Sequence, residues 1–287
     1  MKNRLTYFLL ALLTMGLLIL TACGTGTEEG ADEGTNGTDT EEGANEDAKE
    51  ERKVLQVGTD AAFAPFEYME KGEITGFDVD LLEAVMAEAG YEYELKNTGW
   101  DPLFASLDTK SIDLGISAVT IDEERKESYD FSVPYFESTH MIVFNEGTDI
   151  TSAEDLNGMR VGVQNGTTGQ SAAEKILGKN SDNISKYETT AVAFMALTNG
   201  DVQAVVTDNV VANEFVKNNP NANVEAITDE DNFDSEFYGL IFPKGSELVE
   251  DFNEALTTVI ENGTYEEIYQ EWFGSEVDTE VILNAAE

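Results

Sequence analysis

The amino-acid sequence predicts an α/β protein built from two lobes. Predicted strands alternate with predicted helices, which is typical of a mainly parallel sheet covered by helices. This alternation breaks off and then starts again near residue 159. The chain has 287 residues, of which 41% are hydrophobic. It is therefore long enough for two modest lobes, each with a buried core.

The first α/β unit begins at residue 53. Residues 76–90 predict an amphipathic helix, because their apolar side chains share one face and Gly90 follows the last of them. The other predicted elements of this unit are strands at 54–60, 91–95 and 112–119 and a short helix at 101–107. A turn that contains Phe and Pro, residues 62–68, follows the first strand.

The second unit repeats the same pattern. Its predicted elements are strands at 159–164, 186–190 and 201–208 and helices at 170–178, 193–200 and 209–217. A Gly- and Thr-containing loop, residues 165–169, joins the first of these strands to the first of these helices.

Two apolar extended segments, residues 139–145 and 236–242, are predicted to join the lobes as hinge strands. The resulting boundaries are 53–140 with 242–287 for lobe 1 and 141–241 for lobe 2. The last predicted helix, 264–274, then belongs to lobe 1. Thr264, followed three residues later by Glu267, predicts a capping box at its start.

The N-terminus has the features of a secretory signal. Lys2 and Arg4 precede an uncharged apolar run, Leu5 to Leu20, which is short for a membrane span. It ends in Leu-Thr-Ala-Cys, which resembles the lipobox of bacterial lipoproteins. We therefore predict a signal peptide at 1–22 and lipidation of Cys23, with an uncleaved anchor as the alternative. Cys23 is the only cysteine, which excludes disulfides and thiolate metal clusters.

Residues 23–52 are predicted to be an acidic disordered tether. After Cys23 this segment contains no aromatic residue and no Leu, Ile or Val, so it cannot bury enough apolar surface to offset its chain entropy. The whole chain carries 58 acidic and 16 basic residues, a net charge of −42. This charge repels nucleic acid and anionic lipid. It indicates either a saline or alkaline habitat or a family that tolerates surface acids.

Six segments of the sequence resemble polar amino-acid solute-binding proteins, the family 3 bacterial extracellular receptors, which include glutamine- and histidine-binding proteins. In order, these segments are GTDAAFAPFEY (58–68), GFDVDL (76–81), SAVTIDEERKESYDFSVPYF (117–136), VGVQNGTTG (161–169), AVVTDN (204–209) and ENGTYEEIYQEWFG (261–274). The resemblance implies a two-lobe periplasmic-binding-protein-like fold of type II. It also implies a monomeric extracytoplasmic receptor that closes on one free polar α-amino acid and delivers it to the membrane permease of an ABC transporter.

The resemblance also implies a clamp for the ligand carboxylate. Arg125 matches the family's carboxylate-binding arginine, a role that suits a bidentate guanidinium. Thr120 and the backbone at Ser117 and Ala118 occupy the matching donor positions. The loop with Thr167 and Thr168 is expected to offer N–H groups from the opposite lobe. Without this resemblance, Arg125 would be interpreted as a surface residue.

The matching positions for the rest of the ligand lie mostly at strand ends. Asp208 matches the family's ammonium-binding aspartate, although it is equally placed to cap the next helix. Asp60 resembles a second acid near the ligand. Phe63 and Trp100 match aromatic residues that pack on the ligand side chain, and ordinary core packing is the alternative for both. Gln164 is expected to influence the choice of ligand side chain.

The ligand's identity stays open in the sequence. Gln164 and Thr207 occupy positions where a glutamine receptor would carry Lys and His, which favours an uncharged polar ligand other than glutamine. No cofactor, metal or catalytic residue is predicted, and His140 is interpreted as structural. The alternatives are an enzyme on the same scaffold, resembling the cyclohexadienyl dehydratases, and a ligand sensor for a membrane receptor.

Overall fold

The computed structural model describes residues 54–285, which form two lobes with a five-stranded sheet in each. The predicted signal peptide, Cys23 and the predicted tether lie outside these residues. The strands of the described part are β1 (Val54–Thr59), β2 (Ala62–Phe63), β3 (Glu67–Glu70), β4 (Glu73–Thr75), β5 (Glu92–Asn97), β6 (Leu114–Gly115), β7 (Tyr129–Phe131), β8 (Phe136–Ser138), β9 (His140–Asn145), β10 (Val161–Gln164), β11 (Ile184–Tyr187), β12 (Ala204–Asp208), β13 (Val224–Thr228), β14 (Glu236–Tyr238) and β15 (Ile241–Pro243).

The α-helices of the same part cover the sheets. They are α1 (Phe77–Ala89), α2 (Trp100–Asp108), α3 (Glu123–Ser128), α4 (Thr168–Leu177), α5 (Thr190–Asn199), α6 (Asn209–Asn218), α7 (Leu248–Glu261), α8 (Thr264–Phe273) and α9 (Thr279–Asn284), with a 3₁₀ turn at Ala153–Leu156. None of the helices in residues 54–285 is long and apolar enough to span a bilayer.

The first sheet has the strand order β5-β1-β6-β15-β7. Strand β1 pairs in parallel with β5 and β6, and β15 pairs antiparallel with β6 and β7. Helix α1 buries Leu81, Leu82, Val85 and Met86 on one face, as the apolar spacing predicts. Gly90 ends this helix in the left-handed conformation, at φ 76°, which a residue without Cβ adopts readily.

The second sheet has the order β11-β10-β12-β9-β13. Strand β10 pairs in parallel with β11 and β12, and β9 runs antiparallel to β12 and β13. Its central strands are buried along their whole length, which explains their nearly continuous apolar sequences. The restart of the strand–helix pattern near residue 159 thus reflects a second sheet, and the two-lobe α/β prediction is confirmed.

The chain crosses between the lobes twice, next to the short antiparallel pair β8 and β14. Strand β8 lies between β7 of the first sheet and β9 of the second, and β14 lies between β13 and β15. Residues 139–145, predicted as a hinge strand, instead form β9 inside the second sheet. The segment 236–242 is divided between the crossing strand β14 and the first-sheet strand β15.

Two local predictions were wrong. The strand predicted at 112–119 is reduced to Leu114–Gly115, because the backbone bends at 111–113 and again at 117–118, where Ala118 has a φ of 45°. The capping box predicted at Thr264 is absent from α8. Gly263 occupies the N-cap position at φ 88°, so Thr264 is already the first helical residue and makes no side-chain cap.

Candidate ligand-binding site

All eleven residues predicted at the ligand site line one cavity, which both lobes help to form. These residues are Asp60, Phe63, Trp100, Ser117, Ala118, Thr120, Arg125, Gln164, Thr167, Thr168 and Asp208. Most follow the carboxyl ends of β1, β6, β10 and β12, where open α/β sheets bind their ligands. Contact of each residue with a ligand stays a prediction.

Arg125 is held in position by its own helix and by an aromatic ring. The Asp122 carboxylate caps α3 by accepting the backbone N–H of Arg125 at 2.7 Å, and its other oxygen lies 3.5 Å from Nε. Nη1 donates to the Thr120 carbonyl at 2.8 Å. The guanidinium carbon lies 5.4 Å from the centre of the Trp100 ring. Since only 11% of the side chain is exposed, the guanidinium is a buried cation directed into the cavity.

The second lobe closes over this arginine. Nη2 of Arg125 donates to the Gly166 carbonyl at 3.4 Å, and the hydroxyls of Thr120 and Thr168 lie 3.4 Å apart. Thr167 is the N-cap of α4, and its hydroxyl accepts the N–H of Gln170 at 3.3 Å. The start of α4 therefore faces the cavity, where the helix dipole favours an anion such as a ligand carboxylate.

Two buried acids support the turn at Ser117 and Ala118. The Ser117 hydroxyl donates to Oε1 of Glu67 at 2.8 Å and accepts the N–H of Asp60 at 3.0 Å. The N–H of Ala118 donates to Oδ2 of Asp78 at 2.8 Å. Ala118 therefore lines the cavity without a free N–H, contrary to the donor role expected of it. Its left-handed backbone is stabilised by this hydrogen bond.

Asp208 is the last residue of β12 and the N-cap of α6, but its side chain makes no capping hydrogen bond. Instead Oδ2 accepts the hydroxyl of Tyr238, and Oδ1 lies 3.6 Å from Nε2 of His140. Burial raises the pKa of Asp208, while His140 and the Tyr238 hydroxyl act to lower it. The carboxylate is thus directed towards the cavity, not towards the helix.

Asp60 joins the two lobes through Gln164. Nε2 of Gln164 donates to Oδ2 of Asp60 at 2.9 Å, and its Oε1 accepts the hydroxyl of Thr190 at 2.9 Å. Burial raises the pKa of Asp60, the Gln164 hydrogen bond lowers it, and repulsion from Glu188 and Asp101 raises it further. The Asp60 carboxyl at this part of the cavity is thus partnered by an amide and repelled by two further acids.

The two predicted aromatic residues lie at the cavity wall. Trp100 begins α2, is 9% exposed and contacts Phe104 edge to face, with ring centres 5.0 Å apart. Phe63 stacks on Phe66 at 6.2 Å and also packs against the apolar core. Phe63 thus both lines the cavity and packs against the core, the two positions that the sequence left as alternatives.

The sequence interpretation missed several polar groups at or beside the cavity. Glu67 and Thr190 line it, as does the apolar Val206, next to Thr207, which the sequence had already placed at a position that differs from a glutamine receptor. Glu236 lies beside it and accepts the Thr120 hydroxyl at 3.0 Å. Only Glu67 had a usable signal, because a carboxylate directly after an aromatic turn is unusual in an apolar setting.

Comparison with known proteins then identifies the family. The family model for bacterial extracellular solute-binding proteins, family 3, matches residues 55–275. The chain belongs to this family. Its members are extracellular or periplasmic solute-binding proteins, and the solved relatives have the type II two-lobe fold.

Among the relatives, a probable histidine-binding protein of Neisseria gonorrhoeae is 37% identical over 93% of this chain and 95% of its own length. The solved arginine-, lysine-, histidine-binding protein ArtJ of Geobacillus stearothermophilus is 60% identical over 80% of this chain and all of its own, with a TM-score of 0.79. A solved ancestral amino acid-binding protein, AncCDT-1, described as a precursor of cyclohexadienyl dehydratase, is 37% identical over 77% and 95% of the two chains, with a TM-score of 0.69.

Proposed function

We propose that this family 3 protein is the external receptor of an ABC importer and that its two lobes close on one free α-amino acid. The observation that carries the proposal is that one cavity is lined by the largely buried guanidinium of Arg125 and the buried carboxylate of Asp208. An α-amino acid presents a carboxylate and an ammonium on the same carbon. When both are desolvated, each needs a fixed opposite charge.

We propose further that the ligand has a basic side chain. Asp60, with Glu188 and Asp101 near it, adds negative charge to a cavity whose lining among residues 54–285 has one basic residue, Arg125, which is assigned to the ligand carboxylate. A guanidinium or ammonium on the ligand would supply that charge. The acids of the cavity favour a cationic ligand over the uncharged one that the sequence favours. The similar protein ArtJ is named for binding arginine, lysine and histidine.

The cell-surface arrangement is also part of the proposal. Lipidation at Cys23 and an acidic tether over residues 23–52 would hold the receptor near the permease and raise its effective concentration there. We expect a monomer at the outer face of the cell membrane, because a clamp formed within one chain needs no second copy.

The enzyme alternative has one supporting observation, the similarity to the precursor of a dehydratase. That relative is itself described as an amino acid-binding protein. The buried Asp208 argues for binding, because a substrate without an α-ammonium would leave this carboxylate without a counter-charge. A sensor would differ from a transport receptor only in its membrane partner, because the same cavity would bind the ligand in both cases.

The test uses the soluble chain, residues 23–287 with Cys23→Ser, titrated calorimetrically with arginine. Arg125→Ala should abolish detectable binding while leaving the far-UV circular dichroism unchanged. The matched control is Arg160→Ala, because Arg160 is exposed and is the other arginine of the described residues. Retained affinity in Arg125→Ala would refute the clamp. Amino-acid binding with unchanged ligand recovered afterwards would argue against an enzyme.

A further inference from the structure

His140 lies between two carboxylates behind the cavity. Its Nε2 is 3.6 Å from Oδ1 of Asp208 and 3.8 Å from Oε2 of Glu236. The imidazole is 97% buried, being only 3% exposed, and Nε2 has no hydrogen-bond partner among the described residues. Burying a polar nitrogen without a hydrogen-bond partner costs free energy, and here that nitrogen lies between two acids.

The charged and titratable groups around His140 come from three elements. Asp208 lies on β12, Glu236 and Tyr238 on β14, and the guanidinium of Arg125 on α3 interacts electrostatically with both carboxylates. The apolar ring of Phe233 lies beside the imidazole, with ring centres 5.8 Å apart. Among these side chains, an imidazole is the one that can carry either a positive charge or none.

Glu236 is placed to act together with Asp208. Its Oε2 accepts the hydroxyl of Thr120, which lines the cavity, and its side chain is 22% exposed. Asp208 and Glu236 together carry two negative charges when ionised. An imidazolium at His140 or an ammonium in the cavity can compensate them, but the two cations repel each other at this short range.

We propose that Glu236 shares the ligand's ammonium with Asp208, and that ligand binding expels a proton from His140. In the empty receptor, Nε2 carries the proton and the imidazolium neutralises one carboxylate. When the ammonium enters, the proton leaves Nε2 for the solvent, and the neutral imidazole remains. The ammonium and the proton thus compete for the same pair of acids. This inference rests on the proposed amino-acid receptor function.

Proton release on binding fixes the direction in which the ligand affinity changes with pH. Binding that releases a proton weakens as the proton concentration rises, by up to roughly tenfold per pH unit. Between about pH 8 and pH 5, the affinity for any α-amino acid should therefore fall, whatever its side chain. A receptor with this device would hold its ligand less tightly at an acidic membrane surface.

The first experiment measures proton release. The soluble chain is titrated with arginine and with lysine at about pH 6 in two buffers of different ionisation enthalpy. A buffer-dependent heat that corresponds to release of up to one proton per ligand supports the inference. Binding with the same heat in both buffers overturns it while leaving the proposed function intact. Absence of binding by any amino acid at about pH 8 overturns the proposed function, and this inference with it.

The second experiment needs no variant, because the sequence contains a single histidine. Proton NMR of the tag-free chain follows the imidazole ring signals through a pH titration, with and without saturating arginine. The inference predicts that the ligand moves the midpoint to lower pH. An unchanged or higher midpoint contradicts it.

Two variants separate the roles. His140→Gln should reduce the pH dependence of arginine affinity to that contributed by the remaining acids. Glu236→Gln should weaken arginine binding at about pH 8 by roughly tenfold, because one charge-assisted hydrogen bond is lost. The matched control is Glu225→Gln, an exposed change of the same kind on β13. Equal pH profiles in the wild type and His140→Gln would refute the proton exchange.

Discussion

Replacing Glu67 with glutamine should stabilise the ligand-free protein, and increasingly so as the pH rises above 4.5. Glu67 is fully buried next to a second buried acid, Asp78. Burial raises the pKa of Glu67 well above its ordinary value of 4.5, and repulsion from Asp78 raises it further. Burial likewise raises the pKa of Asp78, to about 6, although the N–H of Ala118 and the hydroxyl of Tyr135 act to lower it. Glu67 is therefore the group that keeps its proton.

The magnitude follows from proton linkage. The folded protein holds the Glu67 proton to a higher pH than the unfolded chain, so the free energy of unfolding falls as the pH rises from 4.5 to the folded pKa. Each pH unit in that interval costs about 1.4 kcal/mol. A glutamine stays neutral, can accept the Ser117 hydroxyl as Oε1 of Glu67 does at 2.8 Å, and can donate to Asp78. It therefore removes this cost and keeps the contacts.

The assay is urea unfolding, followed by circular dichroism, of ligand-free protein at several pH values from about 4.5 to 7.5. The difference between Glu67→Gln and wild type should grow by about 1.4 kcal/mol per pH unit until the folded carboxyl ionises. Glu88→Gln, an exposed change on α1, should stay within about 0.5 kcal/mol of wild type at each pH. Parallel pH curves for Glu67→Gln and wild type would refute the buried-proton account.

Three further predictions concern the cavity and the overall charge. Asp60→Asn should reduce the binding preference for arginine over its neutral analogue citrulline by about 1–3 kcal/mol, measured by calorimetry, because the charge facing the ligand side chain is lost. An unchanged preference would mean that a group other than Asp60 faces that side chain. Trp100→Ala should weaken arginine binding by about 0.5–2 kcal/mol, because the ring no longer holds the guanidinium of Arg125, with Trp100→Phe intermediate; equal losses in both variants would argue against a ring–cation contact. Molar NaCl should raise the melting temperature, because it screens a net charge of −42; no change would remove the basis for a saline habitat.

The sequence predicted the two-lobe fold because its signals are local. Alternating strand and helix patterns identify each α/β unit without knowledge of the other, and most predicted elements lie within a few residues of the observed ones. The local signal failed where backbone conformation overrode it. Bends at 111–113 and 117–118 shorten a strand that apolar composition alone would continue, and Gly263 takes the cap position that the Thr264 pattern indicated.

The site was predicted only where the family resemblance supplied positions. That resemblance named residues on both lobes, and the fold brings all eleven around one cavity. The positions it supplied did not include the buried pair Glu67 and Asp78, nor the contact of Thr120 with Glu236, which lies 116 positions further along the chain. Whether a carboxylate is buried beside another charge depends on tertiary packing, which a single sequence does not encode locally.

The central claim is that the closed lobes hold a free amino acid with a basic side chain. The most direct measurement is calorimetric titration of the soluble chain, freed of carried-over ligand by unfolding and refolding, with a panel of amino acids. The panel comprises arginine, lysine, histidine and ornithine against glutamine, citrulline, glutamate and cystine. The account predicts one-to-one binding, with the basic ligands tightest. Silence across the panel in folded protein would contradict the receptor function, and tighter binding of glutamate or glutamine would contradict the assigned charge of the cavity.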